Sequence, residues 1–349
     1  MGYHDRKGTI PRASRLVALT AAALLATGLA ACSSSSDENG SGDGDWTPIT
    51  IQHALGTTTI DEKPERVATV NWANHEVPLA LGVVPVGMAA ANFGDDDGDG
   101  VLPWVEEKLQ ELKAPTPVLF DETDGVDFEA VANTQPDVIL AGYSGLTQED
   151  YNTLSEIAPV VAYPVTAWGT PWRETIELNS KAIGKENEGK ELVSQLEKEI
   201  ADAAAEHPQI AGKNVMFLTH VDTTDLSEVS FYTTHDTRAA FFEDLGMATP
   251  PSIATASAGT EKFSLSQSAE QVDALNDVDV IVTYGGADLV NALKADPLLS
   301  KMPAVASDAI VTLPSSDPLG TAANPTPLSI SWVLDDYLSM LAQASGKVQ

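Results

Sequence analysis

Short apolar runs alternate with amphipathic stretches over most of this 349-residue chain. The runs have the length of buried strands, and the stretches between them have helical spacing and capping residues. After a hairpin at 50–60, strands are predicted at 66–70, 83–88, 117–120, 137–141, 160–163, 215–219, 278–283 and 309–313. Helices are predicted at 74–81, 127–133, 147–156, 237–245, 268–275 and 288–294, and a last one begins at Thr326 and Pro327. This alternation is typical of α/β folds in which helices cover both faces of a parallel sheet.

The segment from Trp172 to His207 interrupts the alternation because it contains no strand signal. Its second half places apolar residues on one face of a helix, and Gly184 and Gly189 mark a kink or short break. A helix of roughly 20 residues is about 30 Å long, which is enough to run from one domain to another. The sequence therefore predicts an N-terminal α/β lobe at 47–170, a connecting helix at 171–208 and a C-terminal α/β lobe at 209–349.

The first 31 residues have the pattern of an export signal. Basic side chains precede an almost wholly apolar run at 16–29, which continues into Leu29-Ala30-Ala31-Cys32. The run is too short to span a bilayer stably, and small residues before a cut are typical of a signal peptide. Cys32, the only cysteine, fits a lipobox, and its lipid chains would anchor the protein to the outer face of the cytoplasmic membrane. Residues 32–46, rich in serine, glycine and acid, are predicted as a flexible tether.

Charge excludes several classes of partner. The chain has a formal charge of −32, and removal of residues 1–31, with four basic side chains and one acidic side chain, makes it −35. Such a chain repels nucleic acid and anionic lipid head groups. It also disfavours a strongly anionic ligand, since only Arg66, Arg173 and Arg238 remain among the arginines after Cys32. A single cysteine permits no disulfide within one chain, and we expect a monomer.

Five segments carry a family resemblance. They are KPERVATVNWANHEVPLALGVVPVGM at 63–88, VDFEAVANTQPDVILAGYSG at 126–145, LSEIAPVVAY at 154–163, SAEQVDALNDVDVIV at 268–282 and ADPLLSKMPAVASDAIVTLP at 295–314. In this order they resemble the substrate-binding proteins that serve importers of ferric siderophores, haem and cobalamin. The resemblance implies a class III fold, in which two α/β lobes are joined by a single long helix and close only modestly on a shallow cleft. It also implies ABC permease subunits as partners, no intrinsic cofactor, and iron bound only as a siderophore complex.

Aromatic residues after strands are the first ligand candidates. Ligands of open parallel sheets bind beyond the carboxyl ends of the strands, where Trp72, Tyr143 and Tyr284 are expected. Aromatic faces suit a broad, partly apolar siderophore complex because they bury much area at low entropic cost. The resemblance implies Tyr143 in particular, at the position where the family's iron–hydroxamate binder places a tyrosine on its ligand. Three more candidates are expected in connections between elements, namely Trp104, Trp168 and Trp172.

Two arginines could bind oxygens of the ligand. Arg238 is the second residue of a predicted helix, where the guanidinium and the helix N-terminus would both attract a hydroxamate or carboxylate oxygen. Arg173 follows Trp172 and is the weaker candidate; either arginine could instead be structural. The iron–hydroxamate binder has an arginine where this chain has Asp121-Glu122-Thr123-Asp124. This departure favours a neutral or cationic hydroxamate complex over a tri-anionic catecholate.

Glu129 and Glu270 are predicted to dock on the permease. Each begins a short helix, one in each lobe, and the cobalamin binder of the resembled family has a glutamate at both matching places. The resemblance implies salt bridges from these side chains to arginines of the two permease subunits. A purely local role remains open, because acids in the first turn are also favoured by the helix dipole.

Residues 95–106 fit the spacing of a calcium loop, with Asp95, Asp97, Asp99 and Glu106 as oxygen donors. Pro103 falls inside this loop, no clear helix precedes it, and there is one copy. We therefore favour an acidic surface turn and predict no metal site.

Three rival functions remain. The first is a binder of bare zinc or manganese, in which His75, His220 and His235 would supply imidazoles. The second is a haem binder with Tyr143 or His75 as axial ligand. The third is a secreted enzyme, which is disfavoured because the chain has no nucleophile elbow, Walker motif or dinucleotide fingerprint.

Overall fold

The first half of the chain builds a five-stranded parallel sheet. The computed structural model describes residues 46–314 and 317–348. The sheet order is β5-β4-β3-β6-β7, and an antiparallel hairpin, β1 with β2, precedes it. The strands are β1 (Ile49–His53), β2 (Gly56–Ile60), β3 (Val67–Thr69), β4 (Gly87–Ala89), β5 (Val118–Phe120), β6 (Val138–Ala141) and β7 (Val160–Ala162). The helices are α1 (Glu76–Ala80), α2 (Pro103–Glu111), α3 (Phe128–Asn133) and α4 (Gln148–Ser155). We call this half the first lobe.

The second lobe contains a three-stranded parallel sheet of order β12-β11-β8 and an antiparallel pair, β9 with β10. Its strands are β8 (Val215–Phe217), β9 (Glu228–Tyr232), β10 (Ser264–Ser268), β11 (Val280–Tyr284) and β12 (Ile310–Leu313). Its helices are α7 (Thr237–Asp244), α8 (Pro251–Ser257), α9 (Ala287–Ala295), α10 (Pro303–Ala306), α11 (Pro318–Ala322) and α12 (Ser329–Ser345). Three short 3-10 helices lie at Pro208–Ile210, Ala269–Leu275 and Leu299–Lys301. The predicted helix at 268–275 is thus a 3-10 helix.

The connection between the lobes is helical but is not one rod. It consists of α5 (Trp172–Ala182) and the longer α6 (Glu186–Ala205), separated by a turn in which Gly184 has φ +71°. Gly189 lies inside α6, and a Cβ there would come within 2.0 Å of Ser180 Oγ. Gly184 therefore marks the predicted break. The prediction was wrong for Gly189, which lies within α6 and instead lets α5 and α6 pack closely.

The apolar core continues from one lobe to the other. Helix α12 buries six large side chains along one side, which are Ile330, Val333, Leu334, Tyr337, Leu338 and Leu341. They belong to one cluster with side chains of α1 and α2 in the first lobe. The described residues form a single compact unit, so lobe boundaries at 170 and 209 remain a prediction.

The N-terminal features predicted from sequence, namely the signal peptide, Cys32 and the tether up to residue 45, lie outside the described residues. Trp46 was predicted as the end of the tether, but it packs on the fold. Its indole Nε1 donates to the Ile60 carbonyl at 3.1 Å, and a Cβ at Gly184 would lie 2.4 Å from its ring. Within residues 46–314 and 317–348, no helix has the length and apolar character needed to span a bilayer.

Candidate ligand-binding cleft

A cavity of about 350 Å³ opens between the lobes at the carboxyl ends of their strands. We call it the cleft. It contains five of the eight ligand candidates predicted from sequence, which are Trp72, Tyr143, Trp168, Arg238 and Tyr284. Seven further residues line it, namely Asn92, Phe93, His220, Asp236, Phe263, Thr321 and Asn324. The volume falls within the range of small-molecule sites, so the cleft is the leading candidate for ligand binding.

Trp104, Trp172 and Arg173 lie outside the cleft, and the expectation that both tryptophans occupy connections was wrong. Trp104 lies in α2, is 4% exposed, and donates from Nε1 to Glu76 Oε1 at 2.8 Å. Trp172 begins α5 and donates to Asp244 Oδ2 at 2.9 Å. Arg173 donates to Glu197 Oε1 at 2.6 Å and to Asp244 Oδ2 at 3.0 Å. These side chains join helices to one another.

On the first lobe, Trp72 is presented by a backbone in unusual conformations. Its neighbours Asn71 and Ala73 have φ of +59° and +58°. Asn71 donates from its backbone N and from Nδ2 to Glu122 Oε2, at 2.9 and 3.0 Å, and its Oδ1 accepts from the Gly145 backbone N at 3.0 Å. Left-handed non-glycine residues are uncommon and persist where surrounding contacts fix them. Glu122 therefore supports the position of Trp72.

Trp168 is the most exposed aromatic side chain that the first lobe contributes to the cleft. Its loop folds back against the residues that follow β6. Trp168 also has positive φ, +59°, and its backbone N donates to the Ser144 carbonyl at 2.9 Å. A Cβ at Gly145 would lie 2.3 Å from Trp168 Nε1, so only glycine leaves room for the indole. The side chain is 38% exposed, which leaves part of the ring free for a ligand.

Tyr143 is rigidly held and reaches the second lobe. Asn74 fixes its backbone by accepting from its N at 3.0 Å and donating to its carbonyl at 2.8 Å. The ring packs edge-on against Trp168 with centroids 5.5 Å apart, and Asn324 Nδ2 donates to the phenol oxygen at 3.4 Å. Burial raises the pKa of Tyr143, so its hydroxyl keeps its proton at neutral pH and can donate to a ligand oxygen.

On the second lobe, Arg238 is paired before any ligand arrives. It donates from Nε to Asp236 Oδ1 at 2.8 Å and from Nη2 to Asp236 Oδ2 at 2.6 Å, which is a bidentate pair. Its guanidinium carbon lies 3.8 Å from the centre of the Tyr232 ring. Although burial disfavours its charge, the hydrogen bonds and charge of Asp236 raise the pKa of Arg238. The arginine stays charged, but the pair as a whole is close to neutral.

A cluster of aromatic side chains from both lobes extends across the cleft. Tyr284 stacks on His220 with centroids 4.6 Å apart, and Phe93 of the first lobe meets Tyr284 edge-on at 6.0 Å. Phe263 is about half exposed on the same cavity. Sequence reasoning did not propose Phe93 or Phe263 as ligand residues. Their signal was weak but present, because each is an isolated aromatic among polar and glycine residues.

Comparison with known proteins decides the family. Residues 67–316 match the family model described as periplasmic binding protein. This chain belongs to that family. Its fold is similar to the crystal structure of Streptococcus pneumoniae TIGR4 PiaA in complex with ferrichrome, with a TM-score of 0.83 and 46% identity, covering 86% of this chain and 100% of PiaA.

Two relatives from Bacillus subtilis strain 168 extend the comparison. The "Probable siderophore-binding lipoprotein YfiY" is 30% identical over 175 residues, a match that covers half of this chain and half of YfiY. The Fe(3+)-citrate-binding protein YfmC is 26% identical over 299 residues, covering 84% of this chain and 87% of YfmC. The sequence resemblance to binding proteins of siderophore importers, and the class III α/β fold that it implied, are therefore confirmed.

The histidines of this periplasmic binding protein do not form the zinc site of the first rival function. Within the described ranges, the one group of three or more acidic, histidine or cysteine side chains with converging ligand atoms is Asp95, Asp97 and Asp99. His75 is buried in the first lobe, His220 stacks on Tyr284, and His235 Nε2 lies 3.3 Å from the Ser257 carbonyl. Among the residues that the structure describes, no imidazole cluster supports a bare metal ion.

The acidic loop that begins at Asp95 is a turn held by hydrogen bonds between its own side chains and backbone. Asp95 accepts from the backbone N of Gly98 and Gly100, both at 2.8 Å. Glu106, the predicted fourth calcium ligand, lies in α2, and its Oε1 accepts from Gln110 Nε2 at 2.9 Å. The three aspartates already have backbone partners and the glutamate is apart from them, which favours the acidic surface turn expected from sequence.

The two candidates for permease docking are both exposed. Glu129 is in the first turn of α3, and Glu270 is in the first turn of the 3-10 helix Ala269–Leu275. Neither carboxylate has an ion-pair partner within 4.0 Å among the described residues. Glu129 and Glu270 are thus accessible, one in each lobe.

Proposed function

We propose that this chain captures a ferric siderophore of the hydroxamate type outside the cytoplasmic membrane and delivers it to the permease of an ABC importer. The observation that carries the proposal is the cleft, in which aromatic side chains of both lobes surround one paired arginine. The similar protein PiaA was crystallised with ferrichrome, a hydroxamate siderophore.

The charges of the cleft support a hydroxamate. Arg238 is its one arginine or lysine among the described residues, and Asp236 already neutralises that charge. The negative charges of a tri-anionic catecholate complex would find no free positive charge in such a site. A neutral complex would not need one. Aromatic rings would bury the apolar rim of the complex, and Tyr143 and Arg238 would donate to its oxygens.

Titration of intrinsic tryptophan fluorescence tests this proposal. Trp72 and Trp168 both line the cleft, so a bound ferric complex should quench them. We expect saturable quenching by ferrichrome and much weaker responses to a ferric tris-catecholate, ferric citrate, haem and zinc. A Soret band on addition of haem, or one tightly held zinc ion with no response to ferrichrome, would favour a rival function.

Delivery would use the two exposed acids. Charge reversal by Glu129→Lys together with Glu270→Lys should leave ferrichrome binding unchanged and abolish ferrichrome uptake by cells. Glu149→Lys is the matched control, since Glu149 is an exposed acid in the first turn of α4. Equal loss of uptake in the control would refute the docking role.

Membrane attachment would use Cys32. Replacement by Cys32→Ser should release the protein into the soluble extracytoplasmic fraction while ligand binding is retained. Continued sedimentation of the variant with membranes would refute the lipid anchor.

A further inference from the structure

A second cavity, which we call the side cavity, adjoins the cleft inside the first lobe. Its volume is about 360 Å³, and it shares Trp72, Asn92 and Trp168 with the cleft. Its walls are largely apolar and include Met88, Ala89, Val101, Leu102, Val126 and Leu146. A ligand in the cleft could therefore extend a slender group past the two indoles into this space.

The side cavity has no positive charge of its own. Neither lysine nor arginine from the described ranges lines it, while Glu122 and Asp150 do. Asp150 is committed to the capping box of α4, where it accepts from the Thr147 backbone N at 2.9 Å. His75, also on the wall, has a buried Nδ1 without a partner among these residues, and burial lowers its pKa to about 4, so it is neutral. Glu122 is the uncompensated charge.

Glu122 is positioned to receive a cation. Its Oε2 accepts both short hydrogen bonds from Asn71, and its Oε1 accepts only a longer one, at 3.2 Å. Burial raises the pKa of Glu122 to about 7, which reflects the cost of a carboxylate without an opposite charge nearby. A cation in the side cavity would remove that cost, and indole rings at its mouth also attract cations.

We propose that the side cavity binds an alkylammonium arm of the siderophore, with Glu122 as its counter-ion. This inference rests on the proposed function and adds to it a preference, among ferric hydroxamates, for those that carry a pendant primary amine. The apolar walls would contact the methylene groups of the arm, and the ammonium would reach Glu122. The cleft would hold the neutral iron-binding part of the same molecule.

A pair of ligands that differ only in the charge of the arm tests the inference. One is a linear ferric trihydroxamate with a pentylammonium arm, such as ferrioxamine B, and the other is the same complex with its amine acetylated. Wild-type protein should bind the ammonium form about tenfold more tightly, the ratio expected for one partly buried cation with a carboxylate and aromatic partners. Ferrichrome, which has no amine arm, measures the cleft alone.

Two variants test whether Glu122 causes the preference for the ammonium form. Glu122→Gln keeps an acceptor for Asn71 and should reduce the ratio to about one, and ferrichrome affinity of the same variant reports any change in the support of Trp72. Asp121→Asn is the matched control, because Asp121 is the exposed neighbouring acid and does not line the side cavity. We expect the control to keep the wild-type ratio.

The outcomes separate the two proposals. Wild-type protein that binds ferrichrome but does not distinguish the two arms overturns the side-cavity inference and leaves the proposed function intact, without recourse to any variant. A Glu122→Gln protein that retains the preference overturns it as well. Failure of wild-type protein to bind any ferric hydroxamate would overturn both.

Discussion

The two walls of the cleft present their functional side chains by different means. On the first lobe, Trp72 and Trp168 project from loops with positive φ that are fixed by neutral hydrogen bonds and by Glu122. On the second lobe, Arg238 is locked to Asp236 over the Tyr232 ring at the start of α7. The first wall, formed by the first lobe, therefore presents aromatic rings with the Glu122 carboxylate next to their loop. The second wall, formed by the second lobe, presents oriented hydrogen-bond donors with little net charge.

This difference gives the walls separate roles in recognition. Aromatic area favours many disc-like complexes and discriminates little among them. A bidentate, buried arginine has few orientations, so it selects the geometry of the oxygens that it contacts. We expect substitutions on the second wall to affect stability and binding together, and those on the first wall to separate the two.

The largest effect is expected from Arg238→Ala. This change leaves Asp236 buried without its cation, so the free energy of unfolding should fall by about 3 to 5 kcal/mol. Arg173→Ala is the comparison, because its ion pairs are partly solvated, with a side chain 35% exposed, and should cost about 1 kcal/mol or less. Urea denaturation measures both. Similar losses in the two variants would show that the second wall is not held by its buried pair.

An intermediate effect is expected on the pH dependence of stability, through the ionisation of Glu122. Burial raises its pKa from 4.5 to about 7, so between these values the folded protein binds more protons at this site than the unfolded chain does. The free energy of unfolding contributed by this group must therefore fall as pH rises through that window. The loss should approach about 3 kcal/mol and should be absent in Glu122→Gln.

The difference in stability between wild type and Glu122→Gln isolates this contribution. His75 has the opposite slope, since burial lowers its pKa from 6.5 to about 4 and its contribution is lost as pH falls. Asp121→Asn serves as control because hydrogen bonds from Thr123 lower the pKa of Asp121. The stability difference between wild type and this variant should therefore change with pH in the opposite direction. A flat difference for Glu122→Gln from about pH 4 to about pH 8 would contradict the assignment.

Local chemistry explains which elements the sequence predicted well. The predicted alternation of strands and helices appears in the structure. Its helices are set by neighbours in the chain, as in the capping box of Thr147 and Asp150 and the cap at Asp236. Strands β9 and β10 were missed, since Ser264–Ser268 alternates serine with other side chains and exposes much of its surface. Helix α2 was missed although Pro103 at its first position is a start signal.

Contacts between lobes explain what could not be predicted in the site. Loops after strands identified Trp72, Tyr143 and Tyr284, because a parallel sheet brings strand ends to one edge. Phe93 meets His220 and Tyr284 only through the way the lobes pack, which no local pattern encodes. The hydrogen bond that Asn71 donates to Glu122 joins residues 51 apart, so the support that Glu122 gives to Trp72 was equally hidden.

The smallest effect, and the most selective, is expected from a pair of tryptophan variants. Trp168→Ala removes a partly exposed ring that also packs on Tyr143, so ferrichrome affinity should fall about tenfold while stability falls by about 1 kcal/mol. Trp104→Phe removes the donor to Glu76, a carboxylate whose Oε2 also accepts from the Leu328 backbone N of the second lobe at 2.9 Å. This variant should lose about 1 to 3 kcal/mol of stability and keep its affinity. If instead both variants lost affinity and stability in proportion, binding would depend on the lobe junction as a whole, and the first wall would have no separate role.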